Sequence, residues 1–126
     1  MADQHIPHKE TASLIASDKV EGTAVYNDHG ERLGNIHNLM LDKQRGQVEY
    51  AVLSFGGFLG LGTDYYPLPW RSLTYDQSQG GYVVGIDKDV LKNAPHYAPA
   101  DEPVYDRGYG ETVYRHYGMD YPPPLV

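Results

Sequence analysis

Between Val20 and Ile86 the apolar residues recur in short runs separated by clusters of Gly, Asn, Asp and Ser. This pattern predicts a small all-β domain of five to six strands. Val20–Tyr26 reads as the first strand. Asn27-Asp28-His29-Gly30 follows as a turn, because Asn, Asp and Gly accept the positive φ of tight hairpins. Arg32–Asp42 reads as the second strand. Its apolar phase slips, with Ile36 on the even face and Leu39 and Leu41 on the odd face. A regular strand has period two, so the slip predicts a bulge or bend near Asn38.

After a turn at Lys43–Gly46, Gln47–Phe55 reads as the third strand. Val48, Tyr50 and Val52 share one face; Ala51, Leu53 and Phe55 share the other. Both faces are apolar, so both need cover. One can line a barrel interior. The other needs the glycine loop, the C-terminal tail or a second subunit.

Asp64–Trp70 reads as the fourth strand. Pro67 and Pro69 are two apart and so remove donors from the same side, which predicts an edge or a break there. Leu73–Asp76 reads as an extension of this element. Gln77–Gly81 is a polar turn, and Tyr82–Ile86 is the fifth strand. Asp87–Asn93 predicts one or two helical turns, with Asp87 as N-cap and Pro95 beyond the end.

The remaining chain divides by composition. Residues 1–17 form a polar arm, with order expected near Leu14 and Ile15. Residues 18–95 carry the barrel, and 96–126 form a Tyr- and Pro-rich extension. The extension is expected to pack on the barrel, since disordered segments are poor in aromatic residues. Val113, Tyr114 and Tyr117 predict a short helix over Glu111–Tyr117. Tyr121–Pro124 reads as extended, polyproline-like chain.

At 126 residues the chain fits one domain with a real core, burying roughly two-thirds of its unfolded surface. It has no cysteine, hence no disulfide, thiolate metal site or thiol nucleophile. Seventeen acidic against ten basic residues give a formal charge of −7, which speaks against general phosphate-backbone binding. The aromatic tail is therefore read as packing rather than as a stacking platform for bases. No window approaches the roughly 20 apolar residues that span a bilayer, and no signal peptide is evident, so a cytoplasmic location is expected.

Five stretches then resemble the PRC-barrel family: KVEGTAV at Lys19–Val25, GERLGNIHNLMLD at Gly30–Asp42, VEYAVLSFGG at Val48–Gly57, YPLPW at Tyr66–Trp70 and VVGIDKDVLKNAP at Val83–Pro95. Asp106-Arg107 followed by Tyr117-Gly118 is similar to the tails of stand-alone bacterial members. The family is named after the cytoplasmic part of the photosynthetic reaction centre H subunit. It includes the C-terminal domain of a ribosome maturation factor. The resemblance implies a small, highly bent β-barrel, with a short helix after the last strand, used as an interaction module within assemblies. It supplies no catalytic residue. With no transmembrane helix or partner domain ahead of the barrel, a reaction-centre-like or ribosome-maturation role is not expected.

Gly56-Gly57-Phe58-Leu59-Gly60-Leu61-Gly62 invites comparison with phosphate loops. No Gly-Lys-Ser/Thr follows it, and a strand rather than a helix comes next. His5 and His8 share the N-terminal arm and the other four histidines lie in different elements, without metal-ligand spacing, so all six read as surface residues. No catalytic residue, cofactor or metal site is expected. The reading is a non-catalytic interaction module, self-associating as a dimer through Phe55, Phe58, Leu59, Leu61, Tyr66 and Trp70, with a further protein partner, no nucleic acid and no membrane insertion. The alternatives are a small-molecule or ion site under Gly56–Gly62, with an enzyme among its forms, and an RNA- or ribosome-associated factor.

Overall fold

The computed structural model describes residues 13–56 and 62–122. Phe58, Leu59 and Leu61 lie outside the described residues, as does most of the polar arm. Helix α1 (Ser17–Val20) precedes strands β1 (Ala24–Asn27), β2 (Arg32–Leu41), β3 (Val48–Phe55) and β4 (Asp64–Pro69). A 3₁₀ turn at Trp70–Ser72 leads to β5 (Leu73–Asp76) and β6 (Gly81–Val84). Helix α2 (Lys88–Lys92), a 3₁₀ turn at Pro99–Asp101 and helix α3 (Arg107–His116) complete the fold.

The strands form one curled six-stranded sheet in the order β4-β3-β2-β1-β6-β5. Neighbours are antiparallel except β1 and β6, which run parallel with Val25 opposite Tyr82. The first hairpin is set by Asn27, which is 1% exposed. Its Oδ1 accepts the backbone N–H groups of His29 and Glu31, and its amide donates to Glu31 Oε1 at 2.7 Å. Gly30 supplies the positive φ of +82° that the turn requires.

The slipped phase of β2 is a bulge. Ile36 pairs with Leu53 and Asn38 with Val52, so His37 is the extra residue. A second irregularity lies on the partner strand. Met40 pairs with Tyr50 and Leu41 with Val48, leaving Glu49 out of register. Each bulge bends the ladder and increases its twist, which is how so short a sheet curls.

β4 is an edge strand, as its prolines predict. The N–H and C=O of Tyr65 point away from β3 and pair with Tyr97 at 2.9 and 3.0 Å. Residues two apart face alike, so Pro67 and Pro69 place their missing donors on this outer side.

Three expectations shift. Leu73–Asp76 does not extend β4. The 3₁₀ turn, closed by Ser72 Oγ donating to Pro69 O at 2.6 Å, carries the chain to the opposite edge of the sheet as β5. Val20 belongs to α1, and the first strand begins at Ala24. Asp87 occupies the N-cap position of α2 but its side chain makes no cap bond.

The inner face of the curl is filled by Val25, Ile36, Leu53, Leu68, Val84 and Leu91, all nearly inaccessible. The outer face of β3 is covered by the chain's own tail. Tyr50, Val113 and Tyr114 form a second core, flanked by Met40, Tyr105, Tyr109, Met119 and Tyr121. The dimer expected from the two-sided strand is therefore not shown. α3 supplies the cover that a second subunit would have given.

α3 starts four residues before the helix expected from periodicity. Asp106 caps it, with Oδ1 accepting the Tyr109 N–H at 2.9 Å. Gly108 and Gly110, poor helix formers, mask this first turn in the sequence. The segment beyond α3 is held down by Arg71, which donates to Asp120 O at 3.2 Å, and by Arg107, which donates to Pro122 O at 2.9 Å.

Candidate docking groove

α2 and α3 are far apart in sequence, yet their C-terminal ends meet. His116 Nε2 lies 2.8 Å from Val90 O, so the ring donates from that nitrogen and ties the last turn of α3 to α2. Between α3 and the segment that follows α2 runs an open groove of about 560 Å³, lined by Asn93, Pro95, His96, Thr112, Arg115 and His116.

His96 is positioned by Pro95 and by the sheet. Its Nδ1 lies 2.8 Å from Ala94 O and donates to it. Its ring stacks on Tyr66 with centroids 4.7 Å apart and planes 18° apart. Its Nε2 faces Asp64 Oδ2 at 3.5 Å. Asn93 donates through its amide to Asp89 O at 2.9 Å, and Thr112 through its hydroxyl to Gly108 O at 3.0 Å. The side-chain oxygen of Asn93 remains uncommitted by these bonds. Glu111, one turn before Arg115, is engaged by Arg107 at 3.4 Å.

A second groove, of about 310 Å³, opens beside the β2–β3 turn and includes Asp42, Arg45, Glu49, Trp70 and Arg71. Its charged groups are largely committed to the chain itself. Asp42 accepts the backbone N–H groups of Gln44 and Arg45, both at 2.9 Å, and these bonds hold its carboxyl below the usual range. Glu49 Oε2 accepts the Tyr121 hydroxyl at 2.9 Å.

The expected interface residues fall on the barrel. Phe55 is half-buried and meets Tyr66 edge-to-face at 5.3 Å. Tyr66 is 7% exposed, between Phe55 and His96. Trp70 packs on Tyr82 at 5.4 Å and lines the second groove. These three lie in the barrel's own packing. The sequence places His96 and His116 among scattered surface groups and singles out no role for Arg115. Their convergence depends on the tail folding back, and no spacing in the sequence encodes it. Among the described residues no three His, Asp or Glu side chains gather as a metal-ligand set.

The buried tyrosines of the second core have perturbed phenols. Burial, with a smaller contribution from Glu49, pushes Tyr114 up to about 12. Burial likewise pushes Tyr109 up to about 12 and raises Tyr50, Tyr105 and Tyr117. These shifts mark packing, since each ring sits in an edge-to-face aromatic cluster or against the sheet.

A six-stranded, strongly bent sheet with its inner face filled and a helix after the last strand defines a small half-barrel of the PRC type. The PRC-barrel domain matches residues 13–91, and the chain belongs to that family. Among solved structures, one similar chain is described as a candidate 16S ribosomal RNA processing protein, RimM, from Pseudomonas aeruginosa. The identity is 24% and the TM-score 0.40, with 67% of this chain and 50% of that chain covered. The likeness thus spans half the length of the Pseudomonas protein. No curated protein matches.

One expectation is corrected by this finding. Net acidity predicts no nucleic-acid partner. The Pseudomonas chain is described as a candidate 16S ribosomal RNA processing protein, which is a statement about that protein. Formal charge summed over a whole chain does not describe the local surface that meets a partner, so the exclusion does not stand.

Proposed function

We propose that the protein is a non-catalytic interaction module that takes its place in a larger protein assembly. The observation that carries this reading is the division between interior and surface. The inner face of the barrel is filled by the chain's own side chains, and the outer face of β3 is sealed by its own tail. Among the described residues, recognition is left to open surface grooves, one of them with Arg115 and two imidazoles on its walls. Shallow, polar-rimmed surfaces of this kind suit contact with another macromolecule better than enclosure of a small ligand. Membership of the PRC-barrel family supports the same reading.

The test is native size-exclusion of a lysate from the source organism, with the protein detected at its natural level. It should elute in an assembly well above the mass of one chain, before and after ribonuclease treatment. Elution as a free chain would overturn the reading. Collapse of the assembly on ribonuclease treatment would replace it with an RNA-dependent one.

A further inference from the structure

The antiparallel bridge between Tyr65 and Tyr97 sets residue 96 across from residue 66. His96 therefore stacks on Tyr66. Side chains alternate along a strand, so Asp64 shares the face of Tyr66 and meets the same imidazole. The contact joins the edge of the barrel to the segment that leads into the tail.

The hydrogen bond behind His96 defines its tautomer. A backbone carbonyl only accepts, so Nδ1, 2.8 Å from Ala94 O, carries a proton. In the neutral ring Nε2 is then a bare lone pair, and it faces Asp64 Oδ2 at 3.5 Å. Two acceptors confront one another at more than hydrogen-bond length. Such a pair is satisfied by an electrophile placed between them. A carbonyl accepting from the far side of an imidazole is also what orients a metal-bound histidine and raises its basicity. A tetrahedral ion about 2.0–2.2 Å from a nitrogen and an oxygen ligand holds the two about 3.4 Å apart. Both side chains are part-exposed, at 39% and 31%, so an ion can enter with its water.

We infer that His96 Nε2 and Asp64 Oδ2 form a two-residue chelate for a divalent transition ion of the zinc type, with water in its other positions. The donor set selects the ion, since imidazole suits zinc whereas magnesium and calcium take oxygen shells. The ion clasps the start of β4 to the segment after α2, beside the two backbone bonds of the Tyr65–Tyr97 bridge. Metal binding thereby fastens the root of the tail to the barrel edge. A proton in the same position would make the contact a plain ion pair, and the experiment separates the two.

The experiment uses the full chain carrying His5→Gln and His8→Gln, which removes the histidines of the N-terminal arm. The protein is stripped with a chelator and titrated with zinc chloride, and long-range nitrogen–proton spectra report each imidazole. Zinc should move the His96 Nε2 resonance and leave Nδ1 protonated. It should also raise the melting temperature, because a ligand that binds the folded state alone stabilises it. Magnesium should do neither. Asp64→Asn should weaken zinc binding by about tenfold or more. His96→Phe keeps a ring on Tyr66 and should abolish both responses, with near-UV circular dichroism showing that each variant is folded.

A His96 that holds protons on both nitrogens and keeps them as zinc is added would assign the contact to an ion pair and overturn the inference. So would zinc shifts confined to His29, His37 or His116, or equal zinc affinity in Asp64→Asn.

Discussion

The Tyr114 hydroxyl donates a hydrogen bond to the backbone carbonyl of Glu49 at 2.7 Å, across 65 residues of sequence. Glu49 is the residue that the second bulge leaves out of register. A bulge frees a backbone group from the ladder, and a buried carbonyl without a partner is costly. The tail thus satisfies an acceptor that the bending of the sheet creates. Tyr114→Phe keeps the ring and removes the bond. It should destabilise the fold by about 1–3 kcal/mol, the cost of orphaning a buried acceptor. Urea unfolding monitored by near-UV circular dichroism measures it, and a loss below the error of the fit would contradict the account.

Gly110 lies where α3 meets the second core. A Cβ built there would strike the Tyr121 ring, with Cζ at 2.6 Å, and would come within 2.7 Å of the Tyr50 hydroxyl. Ala in a helix is favoured over Gly by about 1 kcal/mol. Overpacking costs about 1–3 kcal/mol and should win. Gly110→Ala is therefore expected to lower the melting temperature, despite the better helix former. A rise would mean that Tyr121 yields freely.

Asp106 caps the helix that seals the outer face of β3. Asp106→Ala should cost about 1 kcal/mol. The loss should fall first on α3, so hydrogen exchange is the sharper probe. Amides of the first turn of α3 should exchange faster while those of β1 and β2 stay protected. Uniform acceleration across the chain would argue against a local role.

Alkaline pH should release the tail. A phenol whose folded pKa is raised keeps its contribution in full below its ordinary value near 10 and loses it as pH rises through the folded value. For Tyr109 and Tyr114 the folded value is about 12. Stability should therefore fall between about pH 10 and pH 12. Phenolate absorbance and near-UV circular dichroism, recorded together, should show ionisation of the buried rings coinciding with loss of aromatic packing. Free titration of every tyrosine near pH 10 would contradict the buried cluster.

Much of this architecture is legible in particular residues. The slipped phase of Ile36 and Leu39 betrays the His37 bulge, because a strand cannot change face without an extra residue. Pro67 and Pro69 mark β4 as an edge. The two apolar faces of Ala51–Phe55 require cover, and tail aromatics are at hand to give it. Other features are hidden because they depend on where distant segments meet. Nothing local in Leu73–Asp76 reveals that a three-residue turn sends it to the far edge of the sheet. Gly108 and Gly110, poor helix formers, conceal the start of α3. His96 and Arg115 belong to one groove only because α3 returns to α2.

The parallel pairing of β1 with β6 also governs how the protein comes into being. Val25 waits for Tyr82, so the strand made first is completed by one of the last. Closing so long a loop costs entropy before any contact repays it. During synthesis β1, β2 and β3 can form their antiparallel ladders while β1 keeps a bare edge. That edge stays open until β6 leaves the ribosome. The nascent chain is thus most vulnerable to edge-to-edge pairing with its neighbours in the interval before Val84 emerges.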